Sequence, residues 1–501
     1  MTSTTEAPPL VRHAPATWLA GTPDGLREVS AAIVGALETA RSAARPTGPL
    51  PTGTPRDVLA AAAEALGPAV VPEHGVGTSQ ALQTIATVLV GHGIDLAHPM
   101  AAAHLQPPPL AVAVAADTLA GVGNASLDTY DSGPSGIAVE RWLIGALSTL
   151  AGLGERADGV LTPGGSLSNL LALLLARDAA SSRRGIDARA DGVAQLPEPV
   201  VFCSELAHFS VHRACAALGL GENAVRPVPT DDRHRMRPVA LEAQLRALGP
   251  DATPIAVVAT AGTTDFGSVD PLPHLAEIAA GHGAWLHVDA AYGFGTLFSD
   301  RLRERLAGVE LADSITLDLH KLGWQPAAAS VLLVSDPGSF AALEREVAYL
   351  NPADDADAGL DGLLGRSLQT TRRPDAVKIA TTLLAYGRSG LGRMVELCHD
   401  LARHAEHRIL ATPELELVAP AELTTVVFRH RSSTPGLTGT LRRQLLESGT
   451  ALIGRTTVDG RDCLKFTLLN PTTTPDDIDR LVDAVCAAAH ELVQDHEEGA
   501  A

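Results

Sequence analysis

The sequence predicts an α/β fold: a mostly parallel sheet, a helical arm before it and a small α/β unit after it. Three observations carry this. Over residues 98–373, short β-rich runs alternate with helical segments, the pattern of βαβ units around a buried parallel sheet. Before residue 97 the pattern is helical and lacks strands. After Pro374 a second, shorter alternation of helices and strands begins.

Composition sets the outer bounds. A chain of 501 residues is too long for one core and calls for two or three domains. Apolar residues at 46% and charged residues at 19% describe a globular protein and exclude wholesale disorder. A net charge of −20 would be repelled by a phosphate backbone, so no nucleic-acid partner is expected. The five cysteines, Cys203, Cys215, Cys398, Cys463 and Cys486, form no CxxC pair and show no metal-like spacing, so no metal is expected. Their odd number suits a reducing compartment. The first residues, MTSTTEAPPLVRHAPATW, lack the cationic start and apolar run of a signal peptide. The most apolar stretches, such as 167–176, are too short to span a bilayer. The expectation is a cytoplasmic protein with no membrane partner.

The elements follow in order. Residues 1–16 are low in complexity and expected to fray. Three helical patterns, 26–43, 55–66 and 79–93, make an arm over residues 1–96. Such an arm buries little by itself and is expected to pack on another subunit. In the central unit, 97–373, the runs GVLTP, PVVFCS, PIAVVATAG, AWLHVDAA, SITLDLH and ASVLLVS read as strands. LSNLLALLLARDAA, HFSVHRACAALG and LPHLAEIAAGHG read as helices between them. The last unit, 374–501, opens with a helix carrying Pro374 at its first position and closes with a helix from Pro475. ELELV, TTVVFRH, GTALIGRTT and DCLKFTLLN supply its strands.

Ligands of such sheets sit beyond the carboxyl ends of the strands, and four candidate features lie there. TPGGSLSN (162–169) joins a strand to a strong helix, so its glycines and free amides suit phosphate; an ordinary turn and N-cap is the plainer reading. It lacks the lysine of a Walker A loop and does not match GxGxxG. Asp289 ends an apolar strand, where a buried carboxylate needs a cationic or protonated partner. Lys321 follows the next strand end in Asp318-Leu319-His320-Lys321. The chain has only three lysines, Lys321, Lys378 and Lys465, and Lys321 alone stands at a strand end of the central unit. A lysine there can act as an amine nucleophile and form a Schiff base. His208 follows the VVFCS strand and could lie flat on a planar ring, although a capping or core histidine is the default. Taken in order, phosphate loop, histidine, aspartate and lysine are the equipment for pyridoxal 5'-phosphate, whose ring accepts electrons when its nitrogen is held protonated.

At this point the sequence resembles the group II pyridoxal-phosphate-dependent amino acid decarboxylases, the family of the aromatic-amino-acid, glutamate and diaminobutyrate enzymes. HPMAAAHLQPPPL, NASLDTYDSGPSGIAVERWLIGAL, TPGGSLSNLLALLLAR, AHFSVHRA, GTTDFGSVDPL, HVDAAYG, DSITLDLHK, AYLNPADD, SLQTTRRPDAVK and LLNPTTT carry the resemblance, in family order, over residues 90–475. It implies the fold-type I architecture and an obligatory homodimer with shared active sites. Lys321 would bond the cofactor aldehyde, Asp289 would pair the ring nitrogen over Ala291, and His208 would stack on the ring. Gly165 and Ser166 would hold phosphate with help from Asp318 or His320, and Thr264 would contact the cofactor. Tyr349 would enter the partner's site from a flexible loop, 348–362, and protonate Cα. His104 and Gln106 would line the substrate cleft, and Arg372 matches a family arginine near the loop. The aromatic branch carries Trp directly after the lysine, whereas Leu322-Gly323-Trp324-Gln325-Pro326 follows here. That and AYLNPADD resemble the diaminobutyrate and lysine-type branch. The expected reaction is α-decarboxylation of an L-amino acid, best a diamino acid. An aromatic substrate, or an aldehyde synthase or transaminase on the same scaffold, stays open.

Overall fold

A computed structural model describes residues 19–20, 22–44, 48–345, 347, 350–432 and 434–500. The expected frayed segment 1–16 lies outside them. The chain divides into two compact units, Met1–Asp95 with Glu447–Gly449, and Leu96–Leu446 with Thr450–Ala501.

The first unit is helical, with no strand among its described residues. α1 spans Pro23–Ala44, α2 Pro55–Leu66 and α3 Thr78–Ala86. α2 starts on a capping box, in which Thr54 and Asp57 each bond the other's backbone N–H, with Pro55 at the first position. The core is a small cluster of Ala36, Ala40 and Ala86 with Leu82 and Val90 beside it. Ile33, Val34, Val70 and Val71 stay exposed, Val71 at 96%.

The second unit holds two sheets. The strands are β1 (Ala101–Ala102), β2 (Asp158–Thr162), β3 (Pro199–Ser204), β4 (Val225–Val228), β5 (Thr253–Thr260), β6 (Trp285–Asp289), β7 (Ser314–Asp318), β8 (Ser330–Val334), β9 (Leu415–Leu417), β10 (Thr425–His430), β11 (Leu452–Val458) and β12 (Arg461–Thr467). The larger sheet has seven strands in the order β2-β8-β7-β6-β5-β3-β4. All neighbours are parallel except at β8, which runs against both β2 and β7. A short connection from Asp318 to Ser330 cannot hold a crossover, so β8 must return antiparallel. The carboxyl ends of β2, β3, β5, β6 and β7 therefore share one edge.

Two apolar layers clothe this sheet, because its strands alternate. Leu286, Val288, Ile315 and Leu317 point to one face and pack with Leu143, Leu147, Leu275 and Ile379. On the other face, Val201, Cys203, Val258 and Leu332 pack on Leu171, Leu173 and Leu175 of the helix Gly165–Arg183. The same alternation lays Trp285, His287 and Asp289 in a row along β6, and Ser314, Thr316 and Asp318 along β7. The register sets His287 beside Ser314 and Asp289 beside Thr316.

The smaller sheet runs β1-β11-β12-β10-β9. β1 comes from the start of the central segment and pairs in parallel with β11, Ala101 opposite Leu452. Phe428, Phe466 and Ile453 from this sheet pack on Ile478, Leu481 and Val485 of the closing helix Pro475–Ala500.

Two expectations need correction. The helix expected to start on Pro374 runs over Ala376–Leu410, with Asp375 before it, and is broken at Gly387. There φ is 62° and ψ 177°, a backbone open to glycine, so two helices meet end to end. The segment 348–362, expected to be loop throughout, holds a short helix at Ala353–Asp357. Asp354 and Asp355 lie in its first turn, where carboxylates meet the positive end of the helix.

Candidate active site

A cavity of about 440 Å³ opens at the shared carboxyl edge of the large sheet. Gly165, Ser166, His208 and Thr264 line it, as do Asp289, Ala291, Asp318, His320 and Lys321. Nine residues singled out from the sequence thus meet in one place, each delivered by the end of a strand or the start of a helix.

The helix Gly165–Arg183 begins directly after β2. Its first amides have no partner within the helix, and its positive end faces the cavity. Thr162 Oγ1 meets Ser168 Oγ at 2.6 Å, and Ser168 meets Ser330 Oγ at 3.1 Å, so the helix start is fastened to β2 and β8. A Cβ on Gly165 would come within 3.0 Å of Asp318 Oδ2. The glycine is thus required by the carboxylate behind it.

Asp318 Oδ2 accepts from Lys321 Nζ at 3.0 Å, with His320 Nε2 at 3.5 Å. Its Oδ1 is buried and has no hydrogen-bond partner among the described residues. The other two lysines are also held by aspartates: Lys378 by Asp375 at 3.0 Å and Lys465 by Asp265 at 2.6 Å. Their side chains are 1% and 10% exposed, against 21% for Lys321.

Asp289 ends β6. Its Oδ1 accepts from the Ala291 N–H at 3.1 Å and its Oδ2 from Asn169 Nδ2 at 2.8 Å. Asn169 Nδ2 also reaches Ser210 Oγ at 2.9 Å, and Ser210 Oγ lies 2.8 Å from His208 Nδ1. Burial, aided by the Lys321 charge, holds His208 below the ordinary imidazole range against the pull of Asp289 and Asp318. The imidazole is therefore neutral at neutral pH.

Thr264 sits on the turn after β5, which folds back sharply at Gly262 (φ 105°), where a Cβ would lie 2.9 Å from Gly293 N. Next to it, Asp265 accepts from Lys465 Nζ and from Thr456 Oγ1 at 2.7 Å, tying this turn to the small sheet.

Of the four other residues named from the sequence, three stand elsewhere. Leu105 lines the cavity, whereas His104 and Gln106 are exposed and do not. The chain bends over 103–105, so Leu105 is the side chain turned inward. Tyr349 lies outside the described residues. Arg372 is buried and bonded to the buried Glu140 at 2.8 and 3.0 Å, a pair that belongs to packing below the sheet end. Burial raises the Glu140 carboxyl although Arg372 opposes it.

The residues present fit pyridoxal phosphate. Helix-start amides suit its phosphate, Asp289 offers an acceptor for a protonated ring nitrogen, and Lys321 an amine for its aldehyde. The Thr260 hydroxyl, buried at the lining without a partner among the described residues, would offer one more polar contact.

Sequence reasoning missed Asn169, Ser210, Thr260 and His287. A signal for His287 was present: it interrupts an apolar strand two residues before Asp289, on the same face.

Residues 62–431 match the family model described as the pyridoxal-dependent decarboxylase conserved domain. The chain is 43% identical over 434 residues to the L-2,4-diaminobutyrate decarboxylase of Rhizobium meliloti (strain 1021), covering 85% of each chain. It is 35% identical over 436 residues to the L-2,4-diaminobutyrate decarboxylase of Acinetobacter baumannii, covering 84% of this chain and 86% of the relative. A solved structure, the glutamate decarboxylase domain of diaminobutyrate-pyruvate transaminase and L-2,4-diaminobutyrate decarboxylase from Vibrio parahaemolyticus, superposes with a TM-score of 0.83 at 31% identity. That alignment covers 93% of this chain and 96% of the other. The fold is fold-type I. With the cleft and the kinship in agreement, the chain belongs to the pyridoxal-dependent decarboxylase family and is an amino acid decarboxylase that uses pyridoxal 5'-phosphate.

Proposed function

We propose that the chain decarboxylates an L-diamino acid, with L-2,4-diaminobutyrate as the first candidate. The observation that carries this is the 43% identity, over 85% of both chains, to a diaminobutyrate decarboxylase. The net charge of −20 supports it, because an acidic protein draws in a substrate with a second ammonium group. Bound pyridoxal phosphate supplies an aldehyde that condenses with amines and a ring that draws electrons from the bond being broken. The protein's own residues hold and orient. Lys321 offers the amine, the Gly165 and Ser166 amides hold phosphate, and Asp289 keeps a proton at the ring nitrogen. His208 would stack on the ring with Ala291 under it, Thr264 would contact the cofactor, and Asp318 or His320 would help at the phosphate. His104 and Gln106 would bear on the substrate from outside this chain's own cavity. The test is amine and carbon dioxide release across a panel of diamino, aromatic and acidic amino acids. Diaminobutyrate should give the highest kcat/KM; a higher value for an aromatic acid would reject the reading.

We further infer a cytoplasmic homodimer in which Tyr349 completes the partner's site and delivers the proton to Cα. Exposed apolar side chains on the first unit support an assembly partner, and five free cysteines suit a reducing compartment. No helix among the described residues is long and apolar enough to cross a membrane. Lys321→Ala and Tyr349→Phe chains, each nearly inactive alone, should regain roughly a quarter of normal activity when mixed, since half the dimers then carry one intact site. Mixtures without recovery would show that Tyr349 serves its own chain or none.

A further inference from the structure

Behind the cleft runs a chain of hydrogen bonds whose direction is set from its Asp289 end. Trp285 Nε1 only donates, and Ser314 Oγ receives it at 2.8 Å. The Ser314 hydrogen is then free for His287 Nδ1, also at 2.8 Å. From the other end, both Asp289 oxygens accept, one from Ala291 N and one from Asn169 Nδ2. The Asn169 amide must therefore turn its oxygen to His287 Nε2 at 3.0 Å, and that nitrogen must carry the proton. Flipping the amide would set its oxygen against a carboxylate and its N–H groups against an N–H. With its proton on Nε2, which Thr316 Oγ1 also approaches at 3.4 Å, the His287 ring that burial keeps neutral leaves Nδ1 to accept the Ser314 hydroxyl.

The second N–H of Asn169 goes to Ser210 Oγ at 2.9 Å. His208 Nδ1 receives the Ser210 backbone N–H at 3.3 Å and lies 2.8 Å from the Ser210 hydroxyl. A ring nitrogen that accepts a backbone N–H holds no proton, so the hydroxyl donates to it as well. Neutral His208 then carries its proton on Nε2, which has no partner among the described residues.

We propose that Asn169 and Ser210 are positioning residues that tie the Asp289 carboxylate to the tautomer of His208, holding its Nε2–H free for an acceptor in the cleft. That the acceptor is the carboxylate of the bound amino acid rests on the decarboxylase reading above; the tautomer does not. The same network thus orients Asp289 and His208 together, although the two are 81 residues apart in sequence, by their numbers 208 and 289.

Enzyme carrying its cofactor, grown with ring-15N histidine, would test this by long-range 1H–15N correlation, with the His208 signals found by their loss in His208→Gln. The expected result is a protonated Nε2 and a bare Nδ1. In Ser210→Ala only the backbone N–H, the longer bond at 3.3 Å, is left to keep Nδ1 bare, so part of the proton should move to Nδ1 and kcat should fall about ten-fold, the scale of one hydrogen bond, with the cofactor's absorbance retained. Ser210→Thr, which keeps the hydroxyl, should restore both. A proton on Nδ1 in the wild type would overturn the proposal, as would an unchanged tautomer in Ser210→Ala. The spectra answer even if no amino acid tried is turned over.

Discussion

Lys321→Ala should lower turnover on the order of 10⁴-fold, about 5 kcal/mol at the transition state, because among the described residues no second lysine lines the cleft. Lys378 and Lys465 are tied to aspartates and nearly buried. The variant should still take up the cofactor, through the helix-start amides and Asp289, yet lose the absorbance of the lysine-bound form. Borohydride reduction of the wild type should fix the cofactor to the Lys321 peptide. A label on either other lysine, or a variant with a tenth of normal turnover, would sink the assignment. There is also a cost in stability. Asp318 Oδ2 loses its ammonium while Oδ1 already lacks a partner, leaving a buried carboxylate with His320 alone beside it. A loss of about 1–3 kcal/mol is expected from denaturant midpoints measured without cofactor.

The second large effect is expected at Asp289. In Asp289→Asn the side chain keeps its shape but offers one oxygen and one NH₂ where the native group accepts at both atoms. Either the Ala291 N–H or Asn169 Nδ2 then faces another donor. The charge that holds the ring proton is lost as well. Breaking a buried charged contact costs about 3–5 kcal/mol, so turnover should fall roughly 10³-fold, with weaker cofactor binding. Near-normal turnover would mean that the carboxylate serves packing only. The two variants differ in their signatures, since the lysine-bound absorbance should survive in Asp289→Asn and vanish in Lys321→Ala.

Much of this site was legible because it rests on local grammar. A charged residue at the end of an apolar strand, as at Asp289, and a lysine in a nearly lysine-free chain both stand out without any structure. The helix that starts within TPGGSLSN announces itself by its leucines. What was not legible depends on atoms brought together from distant positions. Asn169 meets Asp289 across 120 residues and His287 across 118, and no local pattern marks an asparagine in the second turn of a helix as their link. Leu105 could not be told from His104 and Gln106, because a bend decides which side chain turns inward. β8's direction follows from the length of its connection, whereas β1's place beside β11 follows from nothing near it in sequence. The short helix at Ala353–Asp357 was hidden by a composition that reads as loop.

The scarcity and shielding of the lysines have a chemical consequence beyond the site itself. Aldehydes condense with any accessible amine, and an ordinary protein surface offers dozens of competing ones. Here the side-chain amines number three, and two are sequestered by carboxylates at 1% and 10% exposure. A carbonyl compound approaching this protein finds a surface almost blank to it except at the mouth of one cleft, so the selectivity of cofactor loading is written as much in the arginines that replace lysine elsewhere as in Lys321.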